Sequence, residues 1–423
     1  MLEKPKLFLT LKEFWVLVSV LLLLLLMRLF FLHIDYKAFK AKPFYYTDVQ
    51  VIQAYEKWSD DRNHTILKLY VPELNIHFFS RTKIPVAHLS SSLRLKIFPN
   101  EKMTFFDYLG TSFMFSNVNE VYDEKETPKK DVLLFLEAQH TNSMMASFYK
   151  AIYFATPLDK SLRTQVSSLG ISHLIALSGF HLAILSTLLF FFLRPLYRVL
   201  QQRYFPYRFD LQDVGLLVLI ILAWYVWFVD APPSLLRSYA MMTVGWLLLV
   251  LGMELLSFTF LATTVLLLLL LFPKMLLSLA FWFSVAGVFY IFLLLKHVAK
   301  LHNFVITLVI SFGIFVLMLP IVHMVFPIVN PLQLSSPFLS LMFSVFYPIS
   351  MGLHLVGWGD LFDTVLLKLF TLKVNEELLF VSMWQGMLYL LLSLLAVFSK
   401  KVFYLLFCLA LCFTIWLFIG FLV

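Results

Sequence analysis

Long apolar runs separated by short polar connections dominate the chain from residue 171 onward. They occur at about 171–193, 212–229, 234–252, 255–272, 275–295, 304–326, 332–356, 378–398 and 402–422. One more run, VLVSVLLLLLLMRLFFL, lies near the amino end. Because a helix of about 20 apolar residues crosses the hydrocarbon layer, the pattern predicts a multi-pass α-helical integral membrane protein with about ten spans.

The first apolar run is predicted to be an uncleaved anchor rather than a signal peptide. It follows Lys4, Lys6 and Lys12 and ends in bulky or charged residues, with no small-residue cleavage site. Basic residues before the first span favour a cytoplasmic amino end. Residues 1–34 are therefore expected to form a cytoplasmic terminus and an anchor helix.

Between residues 35 and 131 the apolar positions alternate with a period of two. The segments TDVQVIQAYEKW, HTILKLYV, LNIHFFS and SLRLKIF are rich in β-branched and aromatic residues and are separated by turn-forming residues. Such a series predicts a small barrel or sandwich, for which an oligonucleotide-binding (OB) type fold is one candidate. With the amino end inside, this β-rich domain would be extracytoplasmic.

Residues 132–168 are predicted to form one or two amphipathic helices that connect the β domain to the membrane domain, residues 169–423. Helices of this kind often lie at a membrane surface. Their apolar positions are Leu133, Leu134, Phe135, Met144, Met145, Phe148, Ile152 and Phe154.

Polar residues interrupt the apolar segment LGISHLIALSGFHLAIL, where unpaired polar groups are costly. In one continuous helix, His173, Ser178 and His181 would lie on the same side, and Gly179 would allow close approach of another backbone. The alternatives are a polar path through the membrane domain and a packing notch whose histidines bond to neighbouring carbonyls.

Arg237 lies about one turn into the fourth predicted span, with Asp230 close before it as a candidate partner. Its guanidinium could contact an anion in a polar path or snorkel to the nearby interface. His323 and His354 lie near the ends of later spans, where a hydrogen bond to a carbonyl is the expected role.

The composition is 61% hydrophobic and only 14% charged, which excludes a soluble globular class. The net charge of +8 is modest, and basic residues that flank cytoplasmic ends of spans account for much of it. They include Arg194, Arg198, Arg203, Arg208, Lys296 and Lys300. Near the end this rule conflicts with a full crossing by 332–356, because Lys400 and Lys401 would then lie outside. Pro331, Pro337 and Pro348 make an interrupted or re-entrant segment there the alternative.

The β domain carries Arg81, Lys83, Arg94 and Lys96 near Phe78, Phe79 and Phe98. Positive charge beside ring faces is typical of single-stranded nucleic acid binding. An ordinary solvated face is the alternative, since Asp60, Asp61, Asp123 and Glu124 offset much of that charge.

Motifs for metal-dependent hydrolysis, nucleotide binding or a nucleophile elbow are missing from the sequence. Ser178 and the two nearby histidines have no third catalytic partner, so no catalytic residue, cofactor or metal site is predicted. Cys408 and Cys412, one helical turn apart, are not expected to form a disulfide.

The segment GISHLIALSGFHL resembles the signature of the ComEC family of competence membrane proteins. FFDYLGTSFM, PPSLLRSYAMM, FPKMLLSLAFWFSVAG and NPLQLSSPF match other family segments in the same order, over most of residues 40–360. The resemblance implies a channel in the cytoplasmic (inner) membrane that imports single-stranded DNA during natural transformation. It also implies an OB-type outer domain, and it assigns His173, Ser178, Gly179, His181 and Arg237 to the translocation path.

The resemblance further implies partners: single-stranded DNA, the lipid bilayer, a periplasmic DNA receptor, and a cytoplasmic translocating helicase or single-strand-binding proteins. A homo-oligomer is compatible with it. Many members continue into a β-lactamase-like metal hydrolase domain, whereas this sequence is expected to be a short form without it. A transporter for a small anion or lipid, a membrane-embedded hydrolase and an assembly scaffold are the alternative functions.

Overall fold

A computed structural model describes residues 10–59, 62–85, 92–122, 128–252, 257–298, 302–372, 376–419 and 421. Lys4, Lys6, Asp60, Asp61, Asp123, Glu124 and Lys300, which the sequence interpretation used, lie outside this part. The chain forms two compact units. One consists of Phe8–Pro128 and Thr263–Phe281, and the other contains Lys129–Ala262 and Trp282–Val423.

Six strands form the β-rich part of the first unit. They are β1 (Tyr45–Ser59), β2 (Arg62–Val71), β3 (Ile76–Thr82), β4 (Ser92–Phe98), β5 (Thr111–Phe113) and β6 (Phe115–Val121). Their order is β5-β3-β2-β1-β4-β6, with β5 parallel to β3 and the other neighbours antiparallel. The four strands predicted from alternation are confirmed, and β5 and β6 were not predicted.

The two edge strands, β5 and β6, are consecutive in the chain and separated by Met114 alone. The Met114 amide donates to the Phe79 carbonyl at 2.9 Å, and the hydroxyls of Ser80 and Ser116 lie 2.7 Å apart. These contacts bring the two ends of the described sheet together, so that it curves into a barrel.

The core of this barrel follows the alternation of its strands. Leu93, Leu95 and Ile97 of β4 are buried, while Arg94 points outward between them. Helix α1 (Leu11–Ala41) adds Tyr36 and Phe39 to the same core, and the Tyr36 hydroxyl donates to the Met103 carbonyl at 2.6 Å. A short helix, α2 (Phe105–Leu109), begins with a capping box between Thr104 and Asp107. The carboxyl end of α1 is thus part of the barrel core.

The rest of the described chain is helical. The helices are α3 (Pro128–Glu137), α4 (Ser143–Phe154), α5 (Lys160–Ser168), α6 (Ser172–Ile175), α7 (Gly179–Tyr204), α8 (Asp210–Phe228), α9 (Pro233–Val250), α10 (Phe258–Leu271), α11 (Leu279–Val298), α12 (Asn303–Val325), α13 (Ser336–Val356), α14 (Asp363–Phe370), α15 (Met383–Ala396) and α16 (Lys400–Ile419). Pro273–Leu277, Pro331–Ser335 and Gly359–Phe362 are 3₁₀ turns, and two short strands, β7 (Ile328–Val329) and β8 (Glu377–Leu378), pair antiparallel.

In the described chain, seven helices are long and apolar enough to cross a membrane. They are α1, α7, α8, α11, α12, α13 with the turn before it, and α16. The other apolar runs form shorter apolar helices of 10–17 residues, which are Ser234–Val250 of α9, α10 and α15. The multi-pass helical class is therefore confirmed, and the count of full-length spans is smaller than the predicted ten.

Three helices, α3, α4 and α5, occupy residues 128–168, where one or two were expected over residues 132–168. Met145, Phe148 and Ile152 of α4 are almost completely buried in the core of the helical unit. Leu134 and Phe135 of α3 remain more than half exposed. Apolar residues cover most of α4, because it packs against other helices on several sides.

An interrupted helix over 332–356 was the alternative that its prolines favoured, and the structure contradicts it. Pro337 lies in the first turn of α13, where its missing N–H leaves no hydrogen bond unmade. The helix then continues through Pro348 to Val356. Farther on, Cys408 and Cys412 are free, and both are exposed on α16.

Candidate functional site

The segment that carries the polar motif is not one continuous helix, so the prediction that places His173, Ser178 and His181 on one side of a helix is wrong. Helix α5 ends at Ser168, Gly170 adopts a left-handed φ of 68°, α6 is a single turn, and α7 begins at Gly179. His173 therefore lies in α6, Ser178 in the extended break, and His181 in α7. The polar residues mark a helix interruption.

Ser178 and His181 cap the amino end of α7 through a reciprocal pair of contacts. The Ser178 hydroxyl accepts from the Phe180 amide at 3.3 Å, and the Ser178 amide donates to His181 Nδ1 at 3.3 Å. His181 is fully buried, with its ring centroid 4.9 Å from that of Tyr347 and 5.3 Å from that of Phe343. Its Nε2 atom makes no hydrogen bond with the described residues. His181 thus supports the helix end from inside an aromatic enclosure.

Helix α9 lies directly against the break. The Ser234 hydroxyl donates to the Leu177 carbonyl at 2.6 Å, which satisfies a backbone group that the break leaves free. A Cβ atom on Gly179 would lie 3.0 Å from the Ser238 hydroxyl oxygen, so glycine is what allows the two helices to approach.

Helix α13 and the turn before it contact the other end of the break. The Ser336 hydroxyl donates to the Gly170 carbonyl at 3.1 Å, and the Ser340 hydroxyl lies 3.3 Å from His173 Nε2. His173 itself is exposed. We call the set His173, Ser178, Gly179, Ser234, Ser238, Ser336 and Ser340 the polar junction, since three sequence motifs far apart in the chain meet there.

Arg237 shares a face of α9 with Ser234 and Ser238, because residues three and four apart are neighbours on a helix. Its side chain is only 5% exposed. A snorkelling arginine would leave its stem and charge on the outer surface, so this burial favours the interior position. Asp230, the candidate partner from sequence, forms an ion pair with Lys129.

The lone histidines of later helices bond to carbonyls, as expected. His323 Nδ1 lies 3.0 Å from the Leu319 carbonyl, and His354 Nδ1 lies 2.6 Å from the Ser350 carbonyl. In the part of the chain that the structure describes, no group of three or more His, Cys, Asp or Glu side chains could hold a metal ion.

Two adjoining surface hollows follow α7 away from its amino end and share Thr187 and Phe191. The first is lined by α7 together with Ser344 and Pro348 of α13. The second reaches Arg194 and Arg198, whose guanidinium Nε atoms lie 2.8 and 3.0 Å from one Asp210 carboxylate oxygen. Two cations thus share one carboxylate at this end, which leaves a surplus of positive charge.

On the barrel, Lys96 lies among aromatic rings. Its ammonium is 4.1 Å from the ring centroid of Phe44, 5.3 Å from that of Tyr46 and 5.4 Å from that of Phe98. Phe115 of β6 is paired with Phe98 of β4, and its ring centroid lies 5.5 Å from that of Phe113. We call Phe44, Tyr46, Lys96, Phe98, Phe113 and Phe115 the aromatic patch.

The other basic residues of the barrel are placed differently from Lys96. The guanidinium of Arg94 lies 4.0 Å from a carboxylate oxygen of Asp48 and 3.9 Å from one of Glu120, so its positive charge is partly offset. Arg81, at the end of β3, and Lys83, just beyond it, are exposed. Phe78 is fully buried in the barrel core, which rules out the stacking surface that sequence assigned to it. It points inward because Ile76, Phe78 and Ser80 alternate with outward residues on β3.

Lys274, in the 3₁₀ turn Pro273–Leu277, belongs to the same unit as the barrel. Burial lowers the pKa of its ammonium to about 8. Burial and the nearby charges of Lys274 and Lys68 lower the pKa of His77 to about 4. His77 is therefore neutral at physiological pH.

Sequence reasoning missed the serines of the junction and most of the aromatic patch. Ser234 and Ser238 lie one turn apart, as do Ser336 and Ser340, so serine spacing in the motif segments was a usable signal. The alternation in TSFMFSNV also placed Phe113 and Phe115 on the same face of a strand.

Ser178→Ala removes the cap of α7 and is expected to destabilise the helical unit by about 0.5–2 kcal/mol. The check is the thermal unfolding temperature of the purified full chain in detergent. Ser186→Ala, one turn beyond the cap region on α7, serves as the control and should unfold at the wild-type temperature. Equal unfolding temperatures for both variants would contradict the capping role.

The family model described as Competence protein matches residues 155–423, which is more than half of the chain. The match includes the polar junction and the hollows along α7, and it begins after the barrel. Neither a curated protein nor a solved structure matches this chain. The chain belongs to the Competence protein family.

Proposed function

We propose that this protein conducts single-stranded DNA inward across the cytoplasmic membrane. The observation that carries the proposal is the polar junction, a helix interruption in an apolar helical unit at which three motif segments supply hydroxyl groups. Non-helical backbone at membrane depth is tolerated where protein or a water-filled path surrounds it. Membership of the Competence family supports a role in DNA uptake.

The junction suits an anionic strand as an entrance. The amino end of α7 carries the positive end of a helix dipole, which attracts phosphate. The exposed ring of His173 and the hydroxyl of Ser340 lie beside it and can donate hydrogen bonds to phosphate oxygens. Arg237 adds a buried positive charge on the neighbouring face of α9.

The hollows along α7 supply a route from the junction. From Gly179 to Arg198 the helix rises about 30 Å at 1.5 Å per residue, close to the thickness of the hydrocarbon layer. Arg194 and Arg198 stand at the far end, and the positive-inside rule favours the cytoplasm for that end. The strand would pass hydroxyls of Thr187 and Ser344 and leave beside the two arginines.

The barrel would hold the strand outside the membrane. Strand β1 pairs with both β2 and β4, β3 pairs parallel with β5, and consecutive edge strands close the sheet, a connectivity like that of OB-type barrels. Bases stack on exposed rings, and Phe115 and Tyr46 are 69% and 54% exposed. Lys96 would offer its charge to phosphate from the middle of the patch.

Phe115→Ala is expected to weaken binding of a fluorescent oligo-dT by about 1–3 kcal/mol, since one stacking surface is lost. Lys96→Ala should also weaken binding and reduce the slope of log affinity against log salt by about 1. Fluorescence anisotropy of the full chain in nanodiscs, over a salt series, measures both effects.

Phe106→Ala is the matched control, because Phe106 of α2 is an equally exposed ring outside the aromatic patch. It should bind oligo-dT with wild-type affinity. An affinity that does not depend on salt, or an equal loss from Phe106→Ala and Phe115→Ala, would show that the patch does not bind the strand.

Arg237→Ala is expected to abolish entry of fluorescent DNA into the cytoplasm of transformable cells, while DNA still reaches the periplasm. The reason is the loss of the buried cation beside the entrance. Microscopy of labelled DNA, with the membrane level of each variant measured in parallel, gives the result.

Arg203→Ala removes the same side chain from the exposed end of α7 and is the control. It should leave cytoplasmic entry unchanged. Normal entry with Arg237→Ala at normal protein level would mean that Arg237 has a packing role, and the conducting role of this face would be wrong.

A further inference from the structure

A buried hydrogen-bonded chain of Asp363, His140 and His354 lies within the helical unit. It connects the loop between α3 and α4 with the end of α13 and the first residue of α14. The side chain of His140 is fully buried and that of Asp363 is 11% exposed. The sequence had indicated only that His354 bonds to a carbonyl, and His140 and Asp363 had no assigned role.

Three contacts form the chain. His354 Nδ1 lies 2.6 Å from the Ser350 carbonyl oxygen. His354 Nε2 lies 3.1 Å from His140 Nε2, and His140 Nδ1 lies 2.9 Å from Asp363 Oδ2. Each distance is that of a hydrogen bond, and each hydrogen bond needs one hydrogen between its two atoms.

The three contacts together require three protons. A carbonyl can only accept, so His354 Nδ1 carries the first. One of the two facing Nε2 atoms carries the second, and the third lies between His140 and Asp363. Two neutral imidazoles and an ionised carboxylate together carry only two protons on these atoms. The observed geometry therefore holds one additional proton.

We propose that Asp363, His140 and His354 form a proton-binding site whose bound proton fastens the loop at residue 140 to α13 and α14. Without that proton, either two Nε2 lone pairs face each other or the His140 lone pair faces the carboxylate. Both arrangements are repulsive in a buried site. Loss of the proton breaks one of the three contacts.

The surroundings hold the rings in place. Tyr149 of α4 stacks on His140 with centroids 4.6 Å apart, and Gln139 bonds to the His354 carbonyl and the Gly359 amide. A Cβ atom on Gly359 would lie 2.6 Å from the His354 ring, so no larger residue fits there.

The titratable groups that face the site from neighbouring elements, in the described chain, are two tyrosines and one carboxylate. Tyr149 and Tyr153 come from α4, and Asp360 comes from the turn before α14. The negative charge of Asp360 favours a bound proton.

The proton makes stability depend on pH. By linkage, a proton that is held only in the folded chain makes folding less favourable as the pH rises.

Asp363→Asn tests the site, because an amide can donate to His140 Nδ1 and complete all three contacts without the additional proton. The measurement is the unfolding temperature of the purified full chain in detergent between about pH 6 and 9. Asp159→Asn removes the same charge from an exposed position before α5, away from the site, and is the control. We expect wild type and Asp159→Asn to lose about 2–4 °C more than Asp363→Asn over this range.

Parallel profiles for wild type and Asp363→Asn would overturn the proposal. So would an Asp363→Asn variant that fails to fold or that is as destabilised as Asp363→Ala, since the amide should restore the contact. A wild-type profile that shifts on addition of EDTA would mean that the site binds a metal ion instead of a proton. None of these readouts depends on DNA, so they separate this proposal from the proposed function.

Discussion

In an apolar environment every backbone N–H and C=O group must find a partner within the protein, and the polar junction depends on this constraint. The chain is not helical on either side of α6, so the carbonyls of Gly170 before it and Leu177 after it lose their helical partners. Ser336 and Ser234 supply hydroxyl groups at 3.1 and 2.6 Å. The serines of three distant motifs therefore lie at one place for a physical reason, which is to satisfy the interruption.

The same interruption creates the features that a conduit for an anionic strand needs. It leaves His173 exposed beside the amino end of α7, and it brings the arginine-bearing face of α9 into contact with the break. The surface hollows along α7 then end at two arginines that share one carboxylate. The barrel, which belongs to the other compact unit, carries exposed aromatic rings around Lys96.

Much of the fold was predictable from periodicity, because long apolar runs and period-two alternation are strong local signals. The ten apolar runs all became helices, and the first four strands lie where alternation placed them. The break at Gly170–Ser178 was not predictable in this way, since helical spacing alone puts His173, Ser178 and His181 on one side. Ser178 as a helix cap was the better interpretation, and its three-residue spacing to His181 is that of a capping box.

Contacts between distant segments were the least predictable part of the site. His140 and Asp363 are separated by more than half the chain, and no local pattern connects them. Phe78 shows the same limit within a strand, because alternation tells which residues share a face but does not tell which face is inside. The contacts of β5 and β6 with β3 decide which face of β3 is inside. Both strands lie in a short segment with weak strand signals.

The most direct test of the conducting role is to place a photo-crosslinking amino acid at Ser340 and to supply single-stranded DNA during uptake. A residue that contacts the moving strand should crosslink to it, while the same group at Phe398, which is 88% exposed between α15 and α16, should not. Crosslinks at residue 340 that appear only during uptake are the predicted result. Equal labelling at both positions, or none at residue 340 while DNA still enters the cytoplasm, would contradict a path through the polar junction.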